Sequence, residues 1–86
     1  MKTIKSARKR IDSIDKRIIS LLSKRIKIAK NLKSIKKKNK LKITDRARER
    51  EVIENARAMA KHHDLEPEFV EAIFKNVIKY MREQQR

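Results

Sequence analysis

The sequence contains no glycine, no cysteine and no tryptophan, and a single proline, Pro67. Without cysteine there is neither a disulfide nor a thiolate metal site. Without glycine there is no glycine-rich loop to cradle a phosphate. Aromatic residues make up only 3% of the chain, too few to build a surface that stacks on bases. The start, MKTIKSARKR, has no apolar run that could serve as a signal peptide or span a bilayer. A soluble, cytoplasmic protein with no membrane partner is therefore expected.

Charge and apolar periodicity are what the sequence does have. Charged residues are 43% of the total, and with apolar residues spaced in threes and fours they point to long helices and an all-α fold. Eighty-six residues make one domain, 1–86, near the lower end of what a single core can hold together, so oligomerisation is expected. The net charge of +15 invites a nucleic-acid partner through phosphate neutralisation. Yet the lysines of the first third, such as Lys5, Lys16, Lys27 and Lys30, fall around the whole solvent side rather than on one stripe. That pattern describes a solvated face, and no nucleic-acid partner is expected.

Three helices can be placed. Apolar residues at Ile4, Ala7, Ile11, Ile14, Ile18 and Leu21, then Ile28, Leu32 and Ile35, predict one unbroken helix from about Thr3 to about Lys38. At about 1.5 Å per residue it would run roughly 54 Å, whereas a compact monomer of this size has a radius of gyration of only about 12 Å. Such a helix needs a second chain to cover its apolar stripe. The run KKKNKLKI is a basic connector, and Thr44-Asp45 offers an N-cap for a second helix carrying Val52, Ile53, Ala56, Met59 and Ala60. That helix should end near His62-His63-Asp64. Pro67 suits the first turn of a third, whose apolar face is Val70, Ile73, Phe74, Val77, Ile78 and Met81.

Several polar residues intrude on these apolar faces. Arg25 stands where the first helix calls for a hydrocarbon, and a guanidinium is costly to bury without partners. Glu49 precedes Val52, Ile53 and Ala56 by three, four and seven and so shares their face, next to Arg48. Lys36 follows Leu32 by four, and Gln85 follows Met81 by four. Each has a purely structural reading: Arg25 with Glu49 as an ion pair, Lys36 snorkelling, Asp45 as a plain N-cap, Gln85 as a fraying terminus. Taken together they ask for more. One carboxylate cannot neutralise Arg8, Arg25, Lys36 and Arg48, so the inward cluster calls for an anionic ligand, with a dianion fitting best. His62-His63 lacks a third ligand at suitable spacing, so no metal is expected. Arg8 and Arg25 lie seventeen residues apart, about 25 Å along one helix, too far for both to grip one small molecule unless one comes from another chain.

This pattern resembles the all-helical chorismate mutases. The likeness covers nearly the whole chain, through ARKRIDSIDKRIISLLSKR, IKKKNKLKITDRARERE and KHHDLEPEFVEAIFKNVIKYMREQQ. The family's motif of an early arginine, an arginine seventeen residues on, a lysine eleven further and then Asp-x-x-Arg-Glu falls on Arg8, Arg25, Lys36, Asp45, Arg48 and Glu49. Its glutamine near the end of the third helix falls on Gln85. Met81 departs from the pattern, standing where relatives commonly carry a small polar residue that touches a ligand carboxylate. The resemblance implies an intertwined homodimer of three-helix chains that converts chorismate to prephenate without metal or cofactor, in aromatic amino-acid biosynthesis. It further implies that Arg8 of the partner subunit and Arg25 hold carboxylates, that Lys36 and Gln85 donate to the ether oxygen, and that Glu49 accepts from the ring hydroxyl. Asp45 would present backbone at the helix start, and Arg48 would support the carboxylate side. An isochorismate pyruvate lyase of the same fold, a basic nucleic-acid-binding module and a catalytically silent dimerisation domain are the alternatives.

Overall fold

The computed structural model describes residues 3–41 and 45–84. They form three helices and, among the described residues, no strand: α1 (Ile4–Lys38), α2 (Arg46–His62) and α3 (Pro67–Gln84). Residues 1–35 and 36–86 make two compact units.

Helix α1 opens on Thr3, whose Oγ1 accepts from the Ser6 N–H at 3.2 Å. It runs 35 residues without interruption, about 52 Å at the α-helical rise, because it contains neither glycine nor proline to break it. Lys36, Lys37 and Lys38 occupy its last turn, where positive charge complements the helix dipole. None of its residues is buried. Ile11, Ile14, Ile18, Leu21, Ile28 and Ile35 are each at least half exposed along the apolar stripe.

Two helices stop in the same way. At the end of α1 the Leu41 N–H reaches the Lys36 carbonyl at 2.7 Å and the Lys40 N–H the Lys37 carbonyl at 3.2 Å. After α2, Leu65 reaches Ala60 at 2.8 Å and Asp64 reaches Lys61 at 3.2 Å. These are Schellman closures, which need a left-handed residue after the cap. In a chain without glycine, Lys40 and Asp64 take that conformation, both at φ 59°.

Helices α2 and α3 pack on each other as an antiparallel pair joined by residues 63–66. Ala56 and Ala60, one turn apart on α2, are buried, and so is Met81 on α3. The small alanines let the two backbones approach, while Pro67 starts α3 at the position where its missing N–H costs nothing. Across the pair, Arg57 of α2 holds Glu71 at 2.7 Å and Glu68 at 3.4 Å, and Lys75 holds the other Glu71 oxygen at 2.8 Å. Charge thus clamps the end of the hairpin near its turn.

Candidate active site

The first turn of α2 is organised by Asp45. Its backbone is extended (φ −127°, ψ 96°) and its Oδ1 accepts from the Arg48 N–H at 3.0 Å, the geometry of an N-cap. The capping role expected as the structural reading is therefore filled. The Arg48 side chain is exposed and forms an ion pair with Glu51, its neighbour three residues on.

Glu49, one residue further, has a side chain only 20% exposed. Arg82 of α3 grips it with both arms: Nε donates to Oε2 at 3.0 Å and Nη2 donates to Oε1. Arg46 adds a weaker contact, Nη1 to Oε1 at 3.8 Å. The hydrogen bond from Arg82 holds the carboxyl below its ordinary pKa against the opposing effect of burial. Glu49 is thus an ionised carboxylate of fixed orientation. It lies on the wall of an open concavity of about 540 Å³ on the α2–α3 unit, with Ile53 on its own helix and Lys75, Ile78 and Arg82 opposite. The volume falls within the ordinary range for a small-molecule site.

The other residues singled out from the sequence are distributed as follows. Lys36 is half-buried in the last turn of α1, Arg25 is half-buried on the same helix, and Arg8 is exposed near its start. Met81 is buried in the hairpin, so it contributes packing where a small polar side chain would leave a hydroxyl. Gln85 lies outside the described residues. The structure therefore brings Asp45, Arg48 and Glu49 together at the start of α2, with Glu49 tied to α3. His62 and His63 meet edge to face with ring centres 5.4 Å apart, and His63 serves as the C-cap of α2.

Arg82 was missed in the sequence, although a signal was present. It follows Ile78 by four and Phe74 by eight, so it intrudes on the apolar face of α3 just as Arg25 intrudes on that of α1. The spacing offers Arg25 of α1 as a partner for Glu49, whereas in the structure a cation of α3 takes that place.

Residues 7–86 match the family described as chorismate mutase type II. The chorismate mutase of Methanocaldococcus jannaschii is 30% identical over 79 residues, covering 92% of this chain and 80% of that protein. The bifunctional chorismate mutase/prephenate dehydratase of Aquifex aeolicus is 46% identical over 54 residues, covering 63% of this chain and 15% of that protein. The protein of the same description from Buchnera aphidicola subsp. Schizaphis graminum is 34% identical over 73 residues, covering 85% of this chain and 19% of its own length. The chain thus spans most of the first relative and less than a quarter of each bifunctional one. No solved structure matches it significantly. With a match that spans residues 7–86, the chain belongs to the chorismate mutase type II family.

Proposed function

We propose that this chain is a chorismate mutase, an isomerase that rearranges chorismate to prephenate, and that it works as an intertwined homodimer with two equivalent sites. The family match over residues 7–86 carries this reading. The ionised, oriented Glu49 on an open concavity supports it.

The reaction is intramolecular: the ether C–O bond breaks as a new C–C bond forms, with no nucleophile, redox change or cofactor. A protein accelerates it by selecting a compact conformer of the dianion and by stabilising the charge that gathers on the ether oxygen. Arg25 and Arg8 of the partner subunit hold the two carboxylates. Lys36 and Gln85 donate to the ether oxygen, and Glu49 accepts from the ring hydroxyl. Asp45 fixes the start of α2, and Arg48 stands beside it on the carboxylate side. Met81 replaces a polar ligand contact with packing. The second chain covers the exposed apolar stripe of α1, which a lone chain leaves in water at considerable cost.

We place the protein in the cytoplasm, as a single domain over residues 1–86 supplying prephenate for aromatic amino-acid biosynthesis. No described helix is long and apolar enough to cross a membrane. Incubation of the purified protein with chorismate, followed by identification of the product, tests the reading. Prephenate is expected. Release of pyruvate from isochorismate, with chorismate untouched, would move the assignment to the lyase, and no turnover of either would end it.

A further inference from the structure

Neither capping nor the clamp near the turn explains the position of the Arg82 guanidinium. It closes the open end of the hairpin, opposite the first turn of α2, and both it and Glu49 line the concavity. A carboxylate has about four lone-pair sites. Arg82 occupies one on each oxygen of Glu49, which leaves each oxygen with capacity to accept once more, and Glu49 lines the concavity.

We propose that Arg82 is a positioning residue for Glu49: its two-armed grip aims the carboxylate into the concavity and leaves it free to accept a ligand hydroxyl. The proposal rests on the mutase reading above and adds to it a residue that reading does not use. The alternative neighbours of Glu49 cannot replace the fork. Arg46 lies at 3.8 Å on a side chain that is 69% exposed. Arg50 and Glu54 on α2 and Glu71 and Lys75 on α3 also face the concavity, and Asp45 opposes ionisation of Glu49 through its own charge. Without Arg82, the carboxylate would turn toward Arg46 and solvent, and its pKa would rise. A lysine at 82 would keep the charge but lose the fork.

Steady-state kinetics on chorismate across pH, in the wild type and in Arg82→Gln, Arg82→Lys, Glu49→Gln and the Arg82→Gln/Glu49→Gln double variant, test this. Arg82→Gln should lower kcat/KM by about tenfold, mostly through KM, the scale of one hydrogen bond to a charged group. The acid limb of kcat/KM should move to higher pH, and Arg82→Lys should restore part of both. In the Glu49→Gln background, Arg82→Gln should cost little more, because its effect passes through Glu49. A structural role alone would lower melting temperature without moving the acid limb. Wild-type KM and acid limb in Arg82→Gln would overturn the proposal, as would an equal loss in both backgrounds. Should Arg82→Gln lose its helical circular dichroism, Arg82→Lys carries the test, and wild-type KM and acid limb there overturn it. A wild-type protein without turnover would defeat the mutase reading and the proposal together, whereas an active wild type with an indifferent Arg82 defeats the proposal alone.

Discussion

Chains carrying Arg8→Ala and chains carrying Arg25→Ala, each nearly inactive when pure, should regain activity when mixed. Helix α1 is continuous from Ile4 to Lys38, so no bend brings Arg8 toward Arg25. Seventeen residues separate them by about 25 Å and leave them about 100° apart around the helix. One ligand cannot bridge them, so a complete site needs Arg25 from one chain and Arg8 from the other. Each loss should cost about 1.5–3 kcal/mol of transition-state binding, the value of a hydrogen bond between charged groups, or roughly 10- to 150-fold in rate. The fold should survive, because Arg8 is exposed, Arg25 is only half-buried, and alanine favours helix at both positions. After unfolding and refolding together, random assortment yields about half heterodimers, each with one intact site and one lacking both arginines. Specific activity should then approach roughly a quarter of wild type if the sites are independent. The assay is chorismate consumption before and after exchange, with exchange itself followed by a mass tag on one variant. No recovery despite demonstrated exchange, or a fully active monomer by sedimentation, would refute the shared site.

Three further outcomes are expected. Lys36→Ala should lower kcat by on the order of a hundredfold or more, the scale of one lost donor to a developing oxyanion, and near-wild-type turnover would remove Lys36 from the ether oxygen. Replacing the left-handed residues at the helix ends, Lys40→Gly and Asp64→Gly, should each stabilise the protein by about 0.5–1 kcal/mol and raise Tm by roughly 3–6 °C at fixed protein concentration. Lys40 should gain more, since aspartate tolerates that conformation better, and a fall in Tm on Lys40→Gly would contradict the cap. The pH dependence of melting has a defined direction. Glu49 is held below its ordinary pKa chiefly by Arg82, Glu68 chiefly by its own backbone N–H and then Arg57, and Glu71 by Lys75 and then Arg57. A carboxylate whose folded pKa lies below its unfolded value contributes stability above the unfolded value, and loses it as pH falls through the folded one. Tm should therefore drop as pH is lowered through and below the carboxylate range, and Glu71→Gln should make that drop shallower. An unchanged slope in that variant would mean that the clamp near the turn contributes nothing.

The three helices were readable in the sequence because local spacing settles them. Apolar steps of three and four define α1 through Ile35, Asp45 marks the start of α2, and Pro67 the start of α3. The helix ends near Lys38 and His62 were legible too, but not the residues that close them, since Lys40 and Asp64 carry no sign of the left-handed conformation that closure of the last turn imposes on them. The candidate cations Arg8, Arg25 and Lys36 were likewise visible as polar residues on or beside an apolar seam, a property of one helix alone. What local spacing could not decide was which charge meets which across helices. That depends on how far apart two helices lie and how they are aligned, and one sequence records neither. Glu49 could have been assigned to any guanidinium on a facing helix. The antiparallel packing of α2 and α3, made close by Ala56 and Ala60, sets the end of α3 beside the start of α2 and so gives Glu49 to Arg82.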